Sequence, residues 1–180
     1  MLETPRLLLR PPRLEDFAAF TAFAADEEAA RYLGGAMSRA SAWRAFMTLA
    51  GSWHLQGFAM FSVIEKATGT WVGRVGPWQP AEWPGTEVGW GIVRDRWGRG
   101  YATEAAEASV EWAFAVLEWQ DVIHVIDPRN AASQAVARKL GARNRGPGRL
   151  PAPYENAAVD IWGQSLPEWR ARREALAARK

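Results

Sequence analysis

The chain has 180 residues, 48% of them hydrophobic and 23% charged, with a formal net charge of +2 and no cysteine. This length supports one well-filled core, and the composition is that of a folded globular protein rather than a disordered or fibrous one. The lack of cysteine excludes disulfides, thiolate catalysis and cysteine zinc sites, and suits a cytoplasmic setting.

The chain begins with charges at Glu3, Arg6 and Arg10 instead of an apolar stretch, so no secretory leader is expected. Residues 6–10 read as a Leu-rich strand ended by Pro11-Pro12, and residues 14–24 and 26–33 as helices with Phe17, Phe20 and Phe23 along one face. Gly34-Gly35 stops the second helix, and Ser38 opens a third that runs to about Leu55. Residues 57–65 and 71–75 are strands joined by a Gly-containing hairpin, followed by a Pro/Trp-rich loop over 77–85. The next strand spans 87–93, and a helix spans 99–117. The nearly all-apolar strand 122–126 should be buried on both faces. A short helix over 133–140 ends at Gly141. Residues 143–156 read as a loop with a short strand, 157–164 as the last strand, and 167–180 as a helix with Pro in its first turn. No run of apolar residues is long enough to span a membrane. No linker or repeat divides the chain, so residues 1–180 are expected to form one domain.

The most informative stretch lies between strand 87–93 and helix 99–117. A strand that feeds a Gly-containing turn at a helix start gathers backbone N–H groups at one point, backed by the positive end of the helix dipole. Gly98-x-Gly100 lacks the third glycine and the ribose-binding acid of a dinucleotide loop, and no phosphate-loop lysine follows it. Arg94, Arg96 and Arg99 cluster nearby; the basic C-terminal end reads as a solvated helix rather than a nucleic-acid surface.

Trp97-x-x-Gly100-x-Ala102 with Thr103-Glu104-Ala105, followed later by Asn130-Ala131-Ala132-Ser133 and Arg138-Lys139-Leu140-Gly141-Ala142, resembles the GNAT N-acetyltransferase superfamily. Trp97 stands where that superfamily usually has Arg or Gln, a departure similar to the RimJ/RimL-type ribosomal-protein N-terminal acetyltransferases. The resemblance implies a mixed α/β fold of about seven strands with helices on both faces, its fourth and fifth strands splayed apart. It also implies that Trp90, Gly91 and Ile92 offer a strand edge to the pantetheine of acetyl-CoA. Gly98, Arg99, Gly100, Tyr101, Ala102 and Thr103 would hold the diphosphate, and Asn130 a pantetheine amide. Read alone, Asn130 is a helix N-cap.

Acetyl transfer needs a base for the amine and a hydrogen bond or proton for the departing thiolate. Many family members place a Tyr seven positions after the Asn; here that position is Ala137. Ser133 is the substitute by resemblance, as a hydrogen-bond donor or water relay near the sulfur, and otherwise a helix-start serine. Glu87 is the leading base, since a carboxylate in an apolar, Trp-lined cleft has a raised pKa; the alternative is a solvent-facing glutamate. His124 is a second base or relay candidate, set against a neutral core histidine. Glu104 reads as a first-turn acid that favours the dipole. The acceptor is expected between the 32–35 turn, the Trp78–Trp83 loop and the 146–154 loop.

The sequence therefore predicts an acetyl-CoA-dependent N-acetyltransferase acting on a primary amine, either a peptide N-terminus or a small molecule. No metal, nucleic acid or membrane is expected, and a homodimer is left open. The rival is a non-catalytic acyl-CoA-binding module, kept alive by Ala137.

Overall fold

The computed structural model describes residues 1–178. Strands β1 (Leu2–Glu3) and β2 (Leu7–Arg10) precede a 3-10 turn at Leu14–Asp16, then α1 (Phe17–Ala25), α2 (Glu27–Ala30) and α3 (Arg39–Gln56). Strands β3 (Phe61–Glu65), β4 (Thr70–Trp78) and β5 (Glu87–Ile92) lead through a second 3-10 turn to α4 (Tyr101–Val116). The chain continues with β6 (Asp121–Ile126), α5 (Ala131–Leu140), β7 (Arg143–Gly148), β8 (Val159–Ser165) and α6 (Leu166–Ala177). Of the terminal helix expected over 167–180, residues 179 and 180 lie outside the described residues.

One mixed sheet carries eight strands in the order β1-β2-β3-β4-β5-β6-β8-β7. The eighth strand, beyond the expected seven, is β1, whose Leu2 and Glu3 pair with Leu9 and Leu8. A two-residue strand has no periodicity to read. Every neighbouring pair is antiparallel except β5 and β6, which the α4 crossover joins in parallel.

Helices cover both faces. On one, Ala105, Ala106, Ser109 and Ala113 of α4 are fully buried over Leu7, Val63, Val72 and Val88. Their small side chains let the helix axis lie close to the strands. On the other, Phe17, Phe20 and Phe23 of α1 meet Phe46 of α3 and Trp71 of β4. The helix expected over 26–33 shrinks to α2, because the Asp26 side chain caps its start and the chain turns before Gly34. Ser38 caps α3 through the Ser41 N–H, and Gly57 closes that helix at φ +79°. Strand β4 runs to Trp78, into the stretch read as loop, because its pairing with β5 continues to Glu87.

Candidate active site

The parting of β5 and β6 shapes the site. The two strands share one register pair, Glu87 with Ile123, supported by Ile123 N–H donating to Thr86 O at 2.9 Å and Thr86 Oγ1 donating to Asp121 O at 2.6 Å. Beyond that point β5 stays paired with β4 and β6 with β8. Main-chain groups along the opening need other partners. Two side chains supply them: Glu87 Oε1 accepts from Val125 N–H at 3.2 Å, and His124 Nδ1 donates to Val88 O at 2.7 Å.

Glu87 is 6% exposed, and its second carboxylate oxygen accepts from Trp83 Nε1 at 2.6 Å. Burial raises its pKa to about 7, against the lowering pull of the Val125 and Trp83 hydrogen bonds and the Arg74 charge. His124 is 1% exposed, and burial lowers its pKa to about 4 despite the Val88 and Gln164 bonds. The ring is therefore neutral at pH 7, with its proton on Nδ1 because a carbonyl only accepts. Its Nε2 lies 3.3 Å from Gln164 Oε1, and since the two atoms would both accept, the pairing requires the amide turned about so that its NH₂, without a partner among the described residues, donates to the ring.

A cavity of about 70 Å³ opens beside the parting, lined by Met60, Arg74, Glu87, Trp90, Asn130 and Ser133 among others. Glu87, Gly89 and Gly91 point to the α1–α3 side: a Cβ at Gly89 would lie 2.6 Å from Met60 Cε, and one at Gly91 2.8 Å from Phe23 Cζ. Asn130 caps α5, its Oδ1 accepting from Ser133 N–H at 3.0 Å. Ser133 lies in the first turn of α5, and its Oγ accepts from Trp90 Nε1 at 3.2 Å, which leaves the hydroxyl proton free to donate. Ala137 is fully buried against Ile126, Ala142 and Trp162.

The loop before α4 holds Gly98 at φ +73° and Gly100 at φ +80°, the left-handed conformation that favours glycine. Among the described residues no acceptor is recorded for the amides of Gly98, Arg99, Gly100, Tyr101, Ala102 and Thr103, whereas Trp97 N–H and Glu104 N–H are taken by Arg94 O and Gly100 O. Side chains brace this loop. Trp97 Nε1 donates to Ile92 O at 2.7 Å, Arg6 Nη1 to Arg99 O at 2.9 Å, and Tyr101 Oη to Glu65 Oε1 at 2.5 Å. The Tyr101, Thr68 and Arg96 contacts hold the Glu65 carboxyl down at about 2. Glu104 is taken by Thr4 and Arg6, both at 2.6 Å.

The three segments expected around the acceptor also meet here. Tyr32 and Leu33 line the cavity, Trp83 binds Glu87, and a Cβ at Gly34 would sit 3.4 Å from Tyr154. Arg74 and Met60 were not singled out by the sequence. The available signal was a lone charge inside the apolar strand Trp71-Val72-Gly73-Arg74-Val75.

Among known proteins, the acetyltransferase (GNAT) domain family matches residues 6–143. The N-acetyltransferase p20 of Bacillus licheniformis is 28% identical over 171 residues, 92% of this chain and 94% of that protein. The structure of an acetyltransferase from Agrobacterium tumefaciens superposes with a TM-score of 0.79 at 30% identity, covering 91% of this chain and 92% of that one. Mycobacterium smegmatis RimJ, solved in complex with CoA-disulfide, shares the fold at 20% identity and a TM-score of 0.70, over 96% and 90% of the two chains. With a family match over most of its length, this chain belongs to the GNAT acetyltransferases and is an acetyl-CoA-dependent enzyme.

Proposed function

We propose that residues 1–180 work as one domain that moves the acetyl group of acetyl-CoA directly to a primary amine in a ternary complex. The observation that carries this reading is Glu87, a buried carboxyl with a pKa near 7 on the wall of the cavity where the strands part. The amides over residues 98–103, open among the described residues, suit a diphosphate, and RimJ, which shares the fold, is solved with CoA-disulfide. The edge at Trp90, Gly91 and Ile92, with Asn130, suits a pantetheine arm.

Glu87 takes a proton from the acceptor ammonium, directly or through water. The freed amine forms the C–N bond at the acetyl carbonyl, the C–S bond breaks, and the second amine proton passes to the thiolate through solvent. Ser133 donates a hydrogen bond from its O–H to the departing sulfur while Trp90 Nε1 donates to its oxygen. His124, neutral and bonded on both ring nitrogens, fixes the parting instead of carrying protons. Like the RimJ/RimL-type enzymes, the chain takes a primary amine, on a peptide N-terminus or a small molecule.

One observation favours a second reading: buried Ala137 provides no acid where many relatives have Tyr. Free thiol release from acetyl-CoA across a panel of small amines and peptides, alongside CoA titration, decides between them. Turnover with at least one amine is expected. Tight CoA binding with no thiol released by any acceptor leaves a binding module.

A further inference from the structure

Arg74 stands on β4 opposite Gly91, which has no side chain to meet it, and its guanidinium enters the cavity shared with Glu87. Its one recorded polar contact among the described residues is with Met60 Sδ, 2.6 Å from Nη1. A thioether is a weak acceptor, so most of a five-donor fork built for carboxylates is left unserved. Burial pushes the guanidinium below its ordinary pKa, and the Glu87 charge pulls it back up. A cation held in such a place without an ion pair is destabilising.

Among the described residues, nothing else on the cavity wall balances that charge. The Asp127 carboxylate is taken by Arg129 at 2.7 Å, and His124 is neutral. Glu87 loses its own charge once it accepts a proton from the acceptor. We propose that Arg74 is the specificity residue of the acceptor pocket: its guanidinium pairs with a carboxylate of the acceptor, which is therefore a primary amine bearing an acid. A polyamine would instead bring a second ammonium against the guanidinium. A cavity of about 70 Å³ holds roughly two water-sized groups at liquid density, enough for a carboxylate at the end of such a molecule. The inference rests on the acetyl-transfer reading above and names the substrate class of the same site.

The test titrates the CoA-loaded protein with α-amino acids, their carboxamides, and peptides whose first residue is acidic or neutral, read by isothermal titration calorimetry. Carboxylate-bearing probes are expected to bind at least about tenfold more tightly than the matching amides or neutral peptides. That preference should vanish in Arg74→Met and shrink in Arg74→Lys, which keeps the charge without the fork. CoA affinity and melting temperature are controls, and Arg74→Met should melt no lower than the parent. The free-amino-acid and acidic-peptide arms show which source supplies the carboxylate. Equal binding of acids and amides, or a preference that survives both substitutions, overturns the proposal. Carboxylate-selective binding without thiol release supports Arg74's role while removing the acetyl-transfer reading.

Discussion

Glu87 and His124 make reciprocal bonds across the parting strands, Glu87 from β5 to Val125 N–H of β6 and His124 from β6 to Val88 O of β5. Each replaces a ladder bond with a side chain that titrates, and the two are displaced in opposite directions. The folded chain keeps Glu87 protonated up to about 7 against an ordinary 4.5, so this group makes stability fall as pH rises through that interval. It keeps His124 unprotonated down to about 4 against an ordinary 6.5, so stability rises with pH over nearly the same interval. The two slopes, each on the order of 3 kcal/mol in full, offset one another. Denaturant unfolding between about pH 4.5 and 7 should therefore show Glu87→Gln gaining stability with rising pH and His124→Gln losing it. Parallel curves for the two variants would refute the opposed pair.

The pH dependence of turnover isolates Glu87. As the proposed base its carboxyl would act when ionised, so kcat should climb with pH through about 7. Glu87→Gln should lower kcat by roughly a hundredfold, abolish that limb and leave CoA affinity nearly unchanged. His124, already neutral there, should keep the limb when replaced by Gln. A limb that persists in Glu87→Gln would assign the base elsewhere.

Ser133 Oγ accepts from Trp90 Nε1 and is proposed to donate to the departing sulfur. Ser133→Ala removes a hydrogen bond to developing negative charge, and kcat should fall roughly tenfold to a hundredfold. An acyl donor with a more acidic thiol should recover part of the loss, because its leaving group needs less help. Equal losses with both donors would make Ser133 structural.

Gly100 and Gly57 separate backbone strain from ligand binding. Their φ values, +80° and +79°, are nearly the same, and an added Cβ at Gly57 meets nothing within 4 Å while one at Gly100 meets only the end of Arg6. Alanine at either position should lower stability by about 1 kcal/mol. Only Gly100→Ala should weaken CoA binding, by tenfold or more. If calorimetric titration finds the two variants alike toward CoA, the amides over 98–103 do not hold its diphosphate.

Arg10 and Asp16 form a buried ion pair at 2.7 Å, with Arg13 N–H and Ser62 Oγ also donating to the carboxylate at 2.8 Å. Burial pushes the Asp16 pKa up, but the bonds from Arg10, Arg13 and Ser62 outweigh it and hold the group below its ordinary 3.8. The stabilisation is complete above about that pH and disappears as pH falls through the lowered value. Arg10→Met should cost roughly 3–5 kcal/mol in urea unfolding by stranding Asp16, with most of it recovered in the double variant Arg10→Met, Asp16→Leu.

The glycine turn before α4, proposed to hold the diphosphate, was legible because its geometry is local. Two glycines at φ above +70°, six amides open among the described residues and a helix start all lie within a few residues. Element order was legible from periodicity, and Asn130, Ser38 and Gly57 were legible as helix caps or stops, since a cap bonds within one turn. Strand ends were read less well, as at Trp78, because pairing with a distant strand decides where extension stops.

Sequence alone determined the order of strands and helices from β2 onward, the glycine turn at the head of α4 and the candidate status of Glu87, since each follows from neighbours along the chain. Only the tertiary structure decided that Glu87 is buried, that Trp83 and Val125 hold its two oxygens, and that Arg74 shares its cavity. Those facts depend on where β4, β5 and β6 lie relative to one another. A carboxylate's proton affinity is set by the solvent it loses and the charges it meets in space, and neither is written in its immediate sequence.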